Sequence, residues 1–78
     1  MKTTDHWKIQ AKQLIRAEMK RRSLSYVDLA SRMQGLGLAA NERTLANKIA
    51  AGGFSAAFFL QCMEAIGVNT IHLADSSR

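Results

Sequence analysis

The side chains best equipped for chemistry lie close together in the middle of the chain. Arg43, Thr44, Asn47 and Lys48 bring hydrogen-bond donors to positions three and four apart, a spacing that gathers side chains on one face of a helix. Leu45 and Ile49 fall on the other side, so the donors form a polar, outward surface on a short rod with an apolar underside. A second donor cluster is the run Lys20-Arg21-Arg22, and a third is the series Lys8, Lys12, Arg16 and Lys20, which recurs every four residues. Such groups hold anions and polar edges; they do not make or break bonds. Bond-making chemistry finds little to work with. His6 and His72 sit near opposite ends of the chain, and Cys62 falls at core spacing, where a free thiol behaves as a small apolar group. No metal-ligand spacing is present. Gly35-Leu36-Gly37 has no preceding strand and no Gly-Lys-Ser or Gly-Lys-Thr to make it a phosphate-binding loop. The expectation is a protein that is not an enzyme, with no cofactor and no metal.

These donors must be positioned by helices, since the chain has no proline, no internal repeat and helical periodicity throughout. Four helices and a tail are predicted. The first starts with Thr4 as N-cap and Asp5 in its first turn and runs to about Arg22. Trp7, Ala11, Leu14, Ile15 and Glu18 fall on one side and the basic series on the other. Glu18 lies within the apolar sector, where a carboxylate needs a donor, and Arg22 one turn later is the nearest candidate. The second helix starts at Ser25, with Asp28 at capping-box spacing, buries Tyr26, Val27, Leu29, Ala30 and Met33, and stops at Gly35. Gly35 to Ala40 form a packed connector from which Leu36 and Leu38 can enter the core. Asn41 caps a third helix, Glu42 suits the positive end of its dipole, and Gly52-Gly53 stop it. The fourth runs from Ser55 to Gly67 with Phe58, Phe59, Cys62, Met63 and Ile66 inward, and its apolar arc extends to Ala56 and Leu60. Either the tail near Val68, Ile71 and Leu73 or a second subunit must cover that extension. Tyr26, Phe54, Phe58 and Phe59 sit at core spacing or beside caps, which favours packing over base stacking; Trp7 alone stays open to either.

With 78 residues, the chain is expected to be one domain, with a core of about 4–67 and a tail of 68–78. A composition of 47% hydrophobic and 22% charged residues is too apolar for disorder and too broken by charge for a membrane span. Charge is uneven. Residues 1–22 carry seven basic and two acidic residues, whereas 55–78 carry one and two, so a cationic front half adjoins a nearly neutral back half. The front suits a polyanion and the back a protein partner. One cysteine makes no internal disulfide, and no leader pattern opens the chain, so an intracellular location is expected.

Two short helices joined by a compact turn, the second presenting Arg, Thr, Asn and Lys outward, is the construction of helix-turn-helix proteins. Residues 12–67 resemble the lambda-repressor-like, Xre-type helix-turn-helix domains: a first helix ending in Lys20-Arg21-Arg22, then Ser25, Leu29-Ala30, Gly35, an Asn-capped helix with Leu45 and Ile49, a glycine stop and a closing helix. More narrowly, Lys20-Arg21-Arg22, Ser25-Tyr26, Leu29-Ala30, Asn47-Lys48-Ile49 and Gly53-Phe54-Ser55-Ala56-Ala57-Phe58 are similar to a group of small bacterial and phage-type helix-turn-helix domains. One departure is the connection from Gly35 through Ala40, longer than the three or four residues usual in the broad family.

The resemblance implies an all-α, compact four- to five-helix fold and a sequence-specific double-stranded DNA-binding protein, a transcriptional regulator, with its third helix in the major groove. Arg43 would pair with guanine and Asn47 with adenine, each discriminating by roughly 1–3 kcal/mol, and Thr44 would touch a base or a phosphate. Lys48, Lys20, Arg21 and Arg22 would hold phosphates, and Ser25 would offer one its backbone N–H. A homodimer is expected, with Leu60, Met63 and Ile71 as its contact, in the cytoplasm of a bacterium on the nucleoid, whether host- or phage-encoded. The alternative is a protein-interaction module, antitoxin-like or polymerase-binding, on the same scaffold.

Overall fold

The computed structural model describes residues 3–71. Four helices follow one another, α1 (Thr4–Arg21), α2 (Tyr26–Gly35), α3 (Glu42–Ala51) and α4 (Ala56–Ile66), and no strand occurs among the described residues. The fold is all-α. The last three helices have only ten or eleven residues each, a length at which an isolated helix is barely populated in water, so mutual packing must hold them. The arrangement is two against two: α1 and α2 each pack on both α3 and α4. Every helix sends at least one fully buried side chain to the shared core, Ile15 from α1, Leu29 from α2, Ile49 from α3, Cys62 and Ile66 from α4. Each large aliphatic among them contributes roughly 1.5–3 kcal/mol by leaving water.

Helix starts follow the residue types closely. Ser25, Asn41 and Ser55 cap α2, α3 and α4, each side chain accepting the backbone N–H three residues on. The first helix starts one residue earlier than expected, with Thr3 rather than Thr4 as the cap, accepting from the His6 N–H at 3.2 Å.

Three of the four helices end in the same device. The N–H of Leu24 donates to the carbonyl of Met19, that of Leu38 to Met33 and that of Val68 to Met63, each closing a six-residue loop at 2.8–3.0 Å. This is the Schellman ending, and it brings an aliphatic side chain past the helix back against a methionine in the last turn. All three methionines are buried, and Leu24, Leu38 and Val68 pack on the same core. The ending needs a left-handed residue just before the aliphatic. Gly37 and Gly67 supply it in two cases, while Ser23, at φ 57°, supplies it in the third. As expected, α2 ends at Gly35, but the left-handed conformation expected of that glycine is supplied by Gly37 instead.

Other departures concern which side of a helix meets a neighbour. Trp7 is exposed at 57%, its ring edge-on to His6. Val27 and Leu36, both expected inside, are also exposed. Helical spacing puts Trp7 and Val27 on apolar sides, but no other helix covers those sides there; Leu36 follows α2 in the connector and turns to solvent, while Leu38 packs on the core. Tyr26, Phe54 and Phe59 are half-buried and Phe58 is buried, as core spacing implied. Tail residues 72–78, Leu73 included, lie outside the described residues. Among those described, no helix is long and apolar enough to cross a membrane.

Candidate nucleic-acid interface

α3 is capped at both ends and packed along one side. At its start the Asn41 carboxamide oxygen accepts from the Thr44 N–H at 2.9 Å. At its end Lys12 reaches across from α1, and its ammonium donates to the Ala50 carbonyl at 3.0 Å, a cation placed where the helix dipole is negative. Gly52 then turns the chain at φ 77°. It is pressed so close to α1 that a Cβ there would lie 2.8 Å from the Lys8 carbonyl oxygen. Underneath, Leu45 and Ile49 are buried.

The opposite side is open. Arg43, Thr44 and Asn47 are all exposed, and none of their side chains makes a hydrogen bond or ion pair among the described residues. Asn47 lies most directly opposite the buried pair, with Arg43 and Thr44 to either side, at about 100° per residue. One guanidinium, one amide and one hydroxyl therefore stand together on a rigid rod.

The residues expected to hold phosphates divide into three groups. Lys20 is exposed and without a partner among the described residues. Lys48 is exposed but leans on α4, its ammonium 4.7 Å from the centre of the Phe58 ring, a cation–π contact that ties α3 to α4. Arg21 and Arg22 both bind one carboxylate oxygen of Glu18. Hydrogen bonds from Arg21 and then Arg22 hold the Glu18 pKa below its ordinary value. Only Arg22 was expected as its partner; the second arginine makes a clamp that leaves one net positive charge at the end of α1.

Ser25 does not fit the role expected of it. Its backbone N–H donates to the Asp28 carboxylate at 2.9 Å, its hydroxyl lies 3.0 Å from the same oxygen, and the Asp28 N–H donates back to the hydroxyl. The capping box is complete. The group that was to meet a phosphate is occupied, and the carboxylate beside it, its pKa lowered by those bonds from Ser25, repels one. Three members of the basic series along α1 also make contacts within the fold. Besides Lys12, the Lys8 stem lies against Gly53, and the Arg16 Nε donates to the Tyr26 hydroxyl at 3.2 Å.

The residues expected at a subunit contact also separate. Leu60 is 61% and Ile71 40% exposed, but Met63 is only 3% exposed, occupied with the end of α4 and the core. Met63 is therefore corrected to a core residue, because its side chain faces the other helices rather than the apolar extension. Cys62 is wholly buried, and burial pushes the pKa of its thiol up to about 11.

Two features escape a reading by helical periodicity. Arg32 of α2 donates to the Ala65 and Ile66 carbonyls at 3.3 and 3.4 Å, capping α4 from another helix. An open cleft also lies between the end of α1, the start of α2 and the first turn of α3, lined by Arg16, Lys20, Leu24, Tyr26 and Glu42 among others. Both depend on residues distant in sequence meeting, for which a single helix pattern carries no signal.

No curated protein and no solved structure matches the chain significantly. A family model does match over residues 7–71, from Trp7 in the first helix to Ile71 beyond the last. Because that match covers all but the ends, the chain belongs to the family described as a domain of unknown function, DUF6471.

Proposed function

We propose that this protein binds double-stranded DNA in a sequence-specific manner and acts as a transcriptional regulator, with α3 entering the major groove. The observation that carries this reading is the unpartnered trio Arg43, Thr44 and Asn47 on the outer face of a helix held at both ends. Side chains with no partner within the fold are free to meet base edges, and a helix seated on the core through Leu45 and Ile49 presents them together. Arg43 suits guanine and Asn47 suits adenine. Lys20 and the net charge of the Glu18 clamp serve the phosphate backbone. A single ten-residue helix reads few bases, so a homodimer contacting two half-sites, with Leu60 and Ile71 at the subunit contact, supplies the remaining specificity.

Selection from random duplexes at moderate salt tests this directly, and a palindromic site is the expected product. On that site Arg43→Ala weakens binding by about 1–3 kcal/mol relative to random duplex, whereas Lys20→Ala weakens both alike and lowers the salt slope by about one. Absence of duplex binding at low salt, or an Arg43→Ala protein indistinguishable from the parent, refutes the reading.

A second reading has its own support. Ser25 is occupied by Asp28, and Arg21 and Arg22 share Glu18, so fewer phosphate anchors remain than a DNA-binding surface ordinarily uses. The connector between α2 and α3, residues 36–41, is also long. Both features favour a protein-interaction module, antitoxin-like or polymerase-binding, in which the same α3 face meets a protein. Failure of the duplex selection selects this alternative.

A further inference from the structure

We infer that the cleft between α1, α2 and α3 is a binding site for a small amphipathic monocarboxylate, aromatic or short-chain, with its apolar body on the floor and its carboxylate on the α1 wall. The cleft has a volume of about 450 Å³, within the range of small-molecule sites, and it is shallow and broadly open to solvent. Its floor is apolar: Met19 is buried, Leu24 packs on the core, and the Tyr26 ring is half-buried. A bare inorganic anion would leave that floor wet, so the occupant needs an apolar part.

The polar groups determine which end goes where. Arg16 uses its Nε to donate to the Tyr26 hydroxyl, leaving its terminal amino groups without a partner among the described residues. Because that hydroxyl accepts from Arg16, its own proton is free to donate. Lys20, one turn beyond Arg16 on α1, adds an ammonium with no acidic partner among the described residues. Arg16 and Lys20 from α1 and the Tyr26 hydroxyl from α2 thus bring three donors to the cleft, and a planar carboxylate matches the guanidinium fork. Glu42, from the first turn of α3, also lines the cleft. Its negative charge turns the carboxylate away from α3 and disfavours a ligand with two or more negative charges. A neutral apolar molecule would fit the floor but leave the three donors unused.

The inference does not depend on DNA binding and is tested on the free protein. An amide and arginine-Nε NMR titration of the isotope-labelled chain uses 2-naphthoate as probe, with 2-naphthalenemethanol as its neutral counterpart and acetate as the head group alone. Saturable shifts at Leu24, Ser25, Tyr26 and the Arg16 Nε are expected with naphthoate, with at least tenfold weaker binding of the alcohol and of acetate. Tyr26→Phe keeps the floor and removes one donor together with the Arg16 hydrogen bond, and Lys20→Gln removes an exposed charge; each is expected to weaken naphthoate at least threefold, Lys20→Gln without changing the melting temperature. Unsaturated shifts at 5 mM naphthoate, shifts centred elsewhere, equal binding of the alcohol, or unchanged affinity in both variants overturns it.

Discussion

Ser23 occupies a left-handed conformation, φ 57°, in a position where the corresponding residues of two other helix endings are Gly37 and Gly67. A side chain there costs about 1 kcal/mol, while glycine gives back part of that gain through its freer unfolded chain. Ser23→Gly is therefore expected to stabilise the protein by about 0.5 kcal/mol, read as a rise in melting temperature of roughly 2–4 °C. A fall would mean that the serine hydroxyl does something the contacts do not reveal. At this scale much of the site was legible in the sequence. Donor chemistry at 43, 44 and 47 follows from residue type and spacing, and the structure leaves those three exposed. The phosphate role of Ser25 was not legible, because a capping serine and a phosphate-binding serine have the same local sequence. What separates them is whether Asp28 turns its carboxylate onto the N–H, and here it does.

The orientation of α3 depends on α1. Lys12 caps its last turn, and Gly52 admits the Lys8 backbone at a distance no side chain tolerates. Gly37, also left-handed, has open space around it. This contrast gives a matched pair of substitutions. Gly37→Ala carries only the conformational penalty, about 1 kcal/mol, whereas Gly52→Ala must also move α1 away from α3 and is expected to cost at least twice that. The expected falls in melting temperature are about 6 °C and more than 10 °C. Equal falls would show that the close approach is not rigid. Helix boundaries were legible to within a residue or two because Ser25, Asn41, Ser55, Gly52 and Gly67 have strong local preferences. Which face each helix turns to its neighbours was less so. Periodicity places Val27 and Trp7 on apolar arcs, but only the two-against-two packing decides that neither is covered. The same packing brings Lys12 of the basic series onto the end of α3, where a single-helix pattern shows it in a solvated stripe.

As a whole the molecule has a small core, twelve buried apolar residues in the described chain, and a stability of order 5–10 kcal/mol is all that a domain of this length ordinarily reaches. Self-association would add to it, and the exposed Leu60 on α4 is where the proposed dimer meets. Leu60→Glu is expected to yield monomers by sedimentation while leaving the melting temperature of the dilute protein nearly unchanged, since the side chain lies outside the core; a persistent dimer would move the contact elsewhere. The three methionines that end α1, α2 and α4 have a different consequence. Each of these residues is only 3–5% exposed and sits where a helix end joins the core. Peroxide therefore reaches the sulfur only when that corner opens, and the polar sulfoxide it leaves does not fit back. Met19, Met33 and Met63 thus act as three separate recorders of local breathing, and their relative oxidation rates rank the corners of the domain by how often each comes apart.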